Sequence, residues 1–264
     1  MALGFGLRRR LSMLKGQVDY YVWSFTSEGR ANGKRLNALR NRYRGQRCFV
    51  IGNGPSLLKC DLGLLANEIT IASNGHYLIW DKLDYRPTLF TVEDFLVAED
   101  RSSVFKELTG PLKIFPFDLR SLMGEANEGC IYINFERQHR PFPRFSQDIN
   151  VKAYWGGTVS FMNMQLAAYL GCKKIILIGF DHNYTVPAHG REGNVIKSQE
   201  HDANHIHPNY FGPGFRWNDP NLQRMEVAYL CAREELSKLG IDVVNATVGG
   251  NLEVYPRVHY EDLF

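Results

Sequence analysis

From residue 48 onward the chain alternates short apolar runs with longer mixed stretches. The runs are CFVI (48–51), ITIAS (69–73), TLFTV (88–92), KIFPF (113–117), CIYIN (130–134), KIILI (174–178) and DVVN (242–245). Most are apolar throughout rather than alternating with polar residues, the pattern of strands covered on both faces. Two segments instead read as helices. One spans 158–170, opening at Gly156-Gly157-Thr158 and closing at Gly171. The other spans 220–239, with Leu222, Met225, Tyr229, Ala232, Leu236 and Leu239 as its apolar set, Asp219 as cap, Pro220 as first residue and Gly240 as stop. Strands alternating with helices predict an α/β fold with a mostly parallel, doubly wound sheet. Residues 180–220 break the pattern. They are rich in His, Asn, Gly and Pro, and about 182–218 reads as a lid or binding loop.

The N-terminal segment follows a different rule. Leu7, Leu11, Leu14, Val18, Tyr21 and Phe25 step by four and three residues, one face of a helix, while Arg8, Arg9, Arg10 and Lys15 fall largely off it. Residues 1–47 hold 11 Lys/Arg against 2 Asp/Glu, and residues 48–264 hold 20 against 26. The net charge of +3 therefore splits into +9 and −6. Residues 1–45 read as a basic amphipathic arm, joined through Asn32-Gly33 and the Arg-rich 40–47 to a domain over 46–264. With Trp23 and Tyr20-Tyr21 suited to a headgroup boundary, the arm can lie on an anionic membrane surface. The competing reading packs it on its own domain or on a second subunit. Nothing in the main domain continues the positive stripe, so nucleic acid is not the expected partner.

The 264 residues, 44% hydrophobic and 22% charged, suffice for one large α/β domain or two small ones. No window is long and apolar enough to span a bilayer, and Arg8-Arg9-Arg10 interrupts any signal-peptide core. Cysteines 48, 60, 130, 172 and 231 form no C-x-x-C pair and read as reduced thiols. The expectation is a cytoplasmic protein that can sit at the inner face of the membrane.

Candidate chemistry gathers at the strand ends. Strand 48–51 empties into Gly52-Asn53-Gly54-Pro55-Ser56, where glycines let backbone N–H groups approach a ligand. The stretch is neither G-x-G-x-x-G nor a P-loop. Strand 69–73 runs into Asn74-Gly75 with no acid to grip a ribose, which argues against nicotinamide, flavin or S-adenosyl cofactors. Asn53 and Asn74 can donate and accept, and so suit base, sugar or phosphate. Gly157 and Thr158 open a helix, an anion site in the making. Gly179, Asp181 and Tyr184 follow strand 174–178. Glu93-Asp94 can hold Mg²⁺, bind an acceptor sugar or cap a helix. His201, His205 and His207 crowd the loop QEHDANHIHPNYFGPG as metal ligands, solvated side chains or a general base. Trp155, Phe211 and Trp217 can line an acceptor pocket.

The segments VIGNGPSL, WGGTVSFMNMQLAAYLGCKKIILIGFDHNY, NHIHPNYFGPG and NATVGGNLEVYPRV together resemble the MptE-like family of unknown function. That group is named after archaeal 6-hydroxymethylpterin diphosphokinase and is similar to the sialyltransferases of glycosyltransferase family 42 and to Maf-type flagellin glycosyltransferases. The resemblance covers about 46–258. It implies a Rossmann-like nucleotide-binding domain in which Gly52, Asn53, Gly54, Ser56, Asn74, Gly157, Thr158, Gly179 and Asp181 hold a CMP-sugar donor. Val159-Ser160 replaces the rest of the sialyltransferases' Thr-Ser-Gly motif. Tyr184, one residue later than the family's tyrosine, is placed to help the phosphate leave. His205 is the first choice for the catalytic histidine and His207 the second.

The implied reaction is a single inverting displacement that needs no metal. A sialic-acid-like sugar passes from its CMP carrier to a glycan or lipid-linked acceptor. The alternative is a pterin diphosphokinase using ATP and Mg²⁺, with Glu93, Asp94 or Asp181 as ligands. A non-catalytic nucleotide-binding module is the third reading.

Overall fold

In the computed structural model, Gly16, residues 18–186 and residues 189–264 are described. Leu7, Leu11, Leu14, Lys15 and the arginines at 8–10 lie outside the described residues.

Seven strands form one parallel sheet: β1 (Arg47–Ile51), β2 (Ile69–Ser73), β3 (Leu89–Thr91), β4 (Leu112–Pro116), β5 (Cys130–Ile133), β8 (Lys174–Ile178) and β12 (Asp242–Asn245). Their order is β12-β8-β1-β2-β3-β4-β5. The apolar runs thus become strands, within a residue at either end. Alternate residues feed different layers. Cys48, Val50, Ile71, Ile114, Ile175 and Leu177 face one core. Phe49, Ile51, Ile176 and Ile178 face a second, and Phe90, Phe115 and Tyr132 a third. Both faces are dry, which is why the runs are apolar without alternation.

Helix α4 (Val159–Tyr169) lies between the sheet and α5 (Leu222–Lys238), and every residue of it except Ala168 is buried. A helix with an apolar surface all round belongs in such an interior. Its two buried amides tie it to its surroundings. Asn163 Oδ1 accepts from Thr91 Oγ1 at 2.7 Å at the end of β3. Gln165 accepts from Ser146 N–H and Tyr154 N–H, at 3.1 and 3.0 Å. These bonds set where the α4 N-terminus meets the sheet edge. The cap of α5 is not Asp219 but Asn221, which accepts from Arg224 N–H at 2.8 Å. Asp219 instead pairs with Arg191 at 3.1 Å.

Two helices were not legible in the pattern. The first, α1 (Ser27–Ala38), runs through the supposed joint. Asn32 is buried at the edge of β5, giving Nδ2–H to Tyr132 O and accepting Tyr132 N–H, both at 2.8 Å. It completes the edge strand's hydrogen bonds as a paired strand would. Leu36 and Leu39 enter the core, so no domain boundary falls at residue 45. The second, α2 (Phe95–Glu107), is capped by Asp94. The short α3 (Arg120–Met123) packs against α2.

Residues 18–24 are helical. Tyr20 and Trp23 are buried against Phe117, at ring distances of 5.3 and 4.8 Å, which removes them from a headgroup belt. Glu28 anchors this turn, accepting from Trp23 Nε1 at 3.0 Å and pairing with Arg120 at 2.5 Å. The supposed lid holds a small antiparallel sheet, β9 (Arg191–Glu192), β10 (Val195–Lys197) and β11 (Arg216–Asn218), tied to α2 by Arg216 and Asp100. Two further short strands, β6 (Phe135–Glu136) and β7 (Ala153–Tyr154), pair parallel beside the main sheet.

Candidate functional site

Chain order reverses direction between β1 and β8, so their following loops separate there and leave a crevice. The two turns are clasped. Gly52 N–H donates to Ile178 O at 2.7 Å and Gly54 N–H to Gly179 O at 3.0 Å. Asp181 takes Ser56 N–H at 3.1 Å and Ser56 Oγ–H at 2.5 Å. A Cβ on Gly52 would overlap the Gly179 carbonyl, and one on Gly54 the Asp181 carboxylate. These glycines are needed for turn-to-turn approach, and their N–H groups are spent on it rather than left for a ligand.

Above the clasp opens a cleft of about 1050 Å³. Gly52, Asn53, Gly54, Asn74, Glu93, Asp94, Gly157, Thr158, Gly179, Asp181, Tyr184 and His205 all line it. Ser56 and His207 do not. Ser56 is buried behind Asp181, and His207 Nδ1 accepts Asn209 N–H within its own loop. Thr158 Oγ1 accepts Ser160 N–H at 3.3 Å, an ordinary helix cap at the cleft wall.

His205 is the histidine of this loop that reaches the cleft. Its Nδ1 lies 2.7 Å from Asp202 Oδ2, and its ring stacks on Tyr210 at 3.9 Å. The neighbouring Ile206 N–H donates to Asn53 O at 2.8 Å, docking this loop onto the β1 turn. Burial pushes the Asp202 carboxyl up, but the His205 hydrogen bond and charge and the Asn204 and Phe211 N–H groups outweigh it and hold it below the usual range. Tyr184 meets His205 edge-on at 6.1 Å, and burial lifts its hydroxyl to about 12. It stays a neutral donor at physiological pH.

The acidic pair divides its roles. Asp94 caps α2 through Oδ1, accepting from Leu96 and Val97 N–H at 2.8 and 3.2 Å, and Oδ2 accepts from Asn218 at 2.7 Å. Glu93 is buried, and its Oε2 has no partner. Burial raises its carboxyl to about 8, with Arg137 pulling the other way. Arg137 itself is engaged by Asp118, at 2.5 and 3.0 Å. Asn53 Oδ1 and Asn74 Oδ1 are likewise buried without partners.

Three further cleft residues, and the carboxylate behind His205, escaped the sequence reading. Asp202 stands three residues before His205, a spacing visible in HDANH but not interpretable without the turn. His182 is buried at φ 51°, with Nε2 3.3 Å from Glu226, and burial lowers its pKa against that carboxylate. A non-glycine residue held there costs conformational energy, which is common at functional sites. Arg224 lies over the Trp155 ring at 5.6 Å, near Gly157, and Arg140 projects from the loop between β6 and β7. Neither arginine pairs with a carboxylate among the described residues.

An all-parallel sheet with its cleft at the switch point places the protein in the Rossmann-like α/β class. The chain belongs to the MptE-like family, described as 6-hydroxymethylpterin diphosphokinase MptE-like, whose model matches residues 26–187, more than half of the chain. The match begins at the cap of α1, which agrees with α1 as part of the domain, and stops before the His205 loop. No curated protein matches the sequence. Among solved structures, the Maf glycosyltransferase from Magnetospirillum magneticum AMB-1 aligns with a TM-score of 0.50 at 14% identity, over 86% of this chain. The chain spans 37% of that protein's length, and the likeness is one of fold. A mammalian sialyltransferase, solved with Gal-beta-1-3GalNAc-ortho-nitrophenol, aligns with a TM-score of 0.39 at 12% identity, over 91% of this chain and 86% of its own.

Proposed function

We propose that this protein is an inverting glycosyltransferase that moves a sialic-acid-like sugar from a CMP-activated donor to a hydroxyl of a glycan or lipid-linked acceptor. The observation that carries the reading is His205 at the wall of a switch-point cleft with Asp202 on its Nδ1. With Nδ1–H given to Asp202, Nε2 is left as the ring's lone-pair nitrogen, the arrangement of a general base. His205 takes the proton of the acceptor hydroxyl, and the oxygen attacks the anomeric carbon. The bond to the nucleotide phosphate breaks, and the phosphate leaves with that electron pair. The α4 N-terminus at Thr158, the Arg224 guanidinium and the neutral Tyr184 hydroxyl are placed to stabilise its charge. Asn53 and Asn74 offer unpartnered oxygens to hydroxyl or amino groups of the nucleoside.

The diphosphokinase alternative draws on Mg²⁺, and the carboxylates named for it fit poorly. Asp94 and Asp181 are engaged by protein donors. The described residues hold no cluster of three metal-ligating side chains.

Thermal shift against CMP, CDP, UDP, ADP and ATP, each with and without Mg²⁺, tests the reading. CMP at 100 times its dissociation constant adds about 2.7 kcal/mol with no metal. Stabilisation by ATP and Mg²⁺ alone would overturn it in favour of the kinase, and silence toward every nucleotide in favour of a module that keeps the fold without the chemistry. With turnover in hand, His205→Ala lowers kcat about 10²–10⁴-fold.

The N-terminal helix supports an anionic membrane surface as the place of work. Outward from buried Tyr20 and Trp23 stand Val18, Tyr21, Val22 and Phe25, the last 76% exposed. Apolar side chains beside a segment of net charge +9 suit an interface of anionic lipid. Among the described residues no helix is long and apolar enough to cross a membrane. Co-sedimentation with phosphatidylserine vesicles should fall on Val22→Glu/Phe25→Glu, and unchanged binding ends the membrane reading.

A further inference from the structure

Three consecutive strands end in a polar side chain whose terminal oxygen is buried and unpartnered: Asn53 Oδ1 after β1, Asn74 Oδ1 after β2 and Glu93 Oε2 after β3. All three side chains line the same cleft. With neighbouring strands about 4.8 Å apart, the row runs about 10 Å along the sheet edge. The two amides belong to the nucleoside end of the proposed site. Glu93 is a further position, under a different wall.

That wall is aromatic. Trp155 and Phe142 stand 6.0 Å apart at 49°, His139 stacks on Phe142 at 5.6 Å, and all three border the cleft with Glu93. The charged groups acting on Glu93 are Arg137, Asp94 and Asp118. Arg137 is bound to Asp118, and Asp94 and Asp118 add like charge, so Arg137 offsets a buried negative charge at Glu93 only in part and burial prevails. A buried carboxyl so placed holds its proton. It then offers one O–H donor and one acceptor oxygen, the complement of a hydroxyl, which also does both. Apolar ring faces beside one fixed two-way hydrogen-bonding group suit a pyranose ring.

Resting on the glycosyltransferase reading, we propose that Glu93 and the Trp155–Phe142 wall form the subsite for the acceptor sugar. There Glu93 exchanges hydrogen bonds with a ring hydroxyl as an uncharged acid and acts neither as base nor as metal ligand.

Saturation-transfer NMR with methyl β-galactoside and methyl β-glucoside, each with and without saturating CMP, tests this. At least one glycoside should receive saturation, and CMP should not displace it. Glu93→Gln keeps a neutral two-way partner and should hold affinity within about threefold, whereas Glu93→Ala and Trp155→Ala should weaken it about tenfold or more. Phe142→Ala serves as a second wall variant if Trp155→Ala does not fold. Equal loss in Glu93→Gln and Glu93→Ala would overturn the uncharged role. Displacement by CMP, undiminished binding in Glu93→Ala, or no binding of either glycoside would overturn the subsite. CMP binding, followed separately, distinguishes the cases: CMP binding without glycoside binding ends this inference alone, and loss of CMP binding ends the donor reading.

Discussion

The turn after β1 and the turn after β3 lie at one edge of one sheet and treat their polar groups in opposite ways. After β1, the N–H groups of Gly52 and Gly54 and both polar groups of Ser56 are consumed by β8 and Asp181. After β3, Asp94 is consumed by a helix cap, while Glu93 is left buried with an unpartnered oxygen. Glycine-rich sequence looks like a cradle, but here most of it is a clasp. The open chemistry sits on a plain acidic residue and on the side chain of Asn53. A strand end that bonds its neighbour shapes a site, and one that does not is available to a ligand.

The largest effect that sharpens this contrast is a pH dependence. Glu93 has its folded pKa raised to about 8 from 4.5, so its stability contribution is full below 4.5 and lost as pH rises through 8. At about 1.4 kcal/mol per pH unit the loss is about 5 kcal/mol. His76, fully buried and lowered from 6.5 to about 4, works the other way. Its contribution is full above 6.5 and lost as pH falls through 4, about 3 kcal/mol in all. Denaturant titrations of the wild type should therefore show slopes from these two groups that cancel between 4.5 and 6.5, with stability falling from 6.5 to 8. Glu93→Gln should rise from 4 to 6.5 and then stay level. A declining limb that survives in Glu93→Gln assigns the open acid wrongly.

Next in size, Gly52→Ala places a methyl against the Gly179 backbone, which cannot swing aside as a side chain can. The expected loss is about 3 kcal/mol in the urea midpoint analysis, and a change within about 0.5 would dissolve the clasp. The smallest effect comes from Ser56→Ala, which removes one hydroxyl bond to a carboxylate and costs about 1.5 kcal/mol. Because Ser56 does not line the cleft, CMP affinity measured by calorimetry should stay within about twofold, less than one lost hydrogen bond to the ligand would cost. A larger drop would return Ser56 to the binding site.

The strands were legible because burial on both faces removes polar residues from them, and four or five apolar residues in a row leave few other readings. Helix α5 declared itself by period, and both α4 and α5 by their starts and glycine stops. In contrast, α2 has the sequence FLVAEDRSSVFKE, where polar residues interrupt any stripe, and its cap Asp94 passes for a ligand residue. Asn32-Gly33 inside α1 suggests a hinge, since both residues are poor helix formers. The edge of β5 repays that weakness with two hydrogen bonds to Asn32. At the site, the residues at strand ends were readable from the strands themselves, and most of them reach the cleft. The histidine loop lacks periodicity, so nothing local distinguishes His205 from His207.

The sequence alone settled the parallel sheet, the position of its carboxyl edge and which residues stand there, because strand periodicity and glycine punctuation act over a few residues. Tertiary structure decided what those residues are free to do. The Asp181–Ser56 contact joins positions 125 residues apart, and the Thr91–Asn163 contact positions 72 apart. Whether a polar atom is spent or open depends on such long-range partners, and on burial that no local window contains. That is why Gly54 proved to belong to a clasp, Asp202 to a histidine, and Glu93 to the cleft.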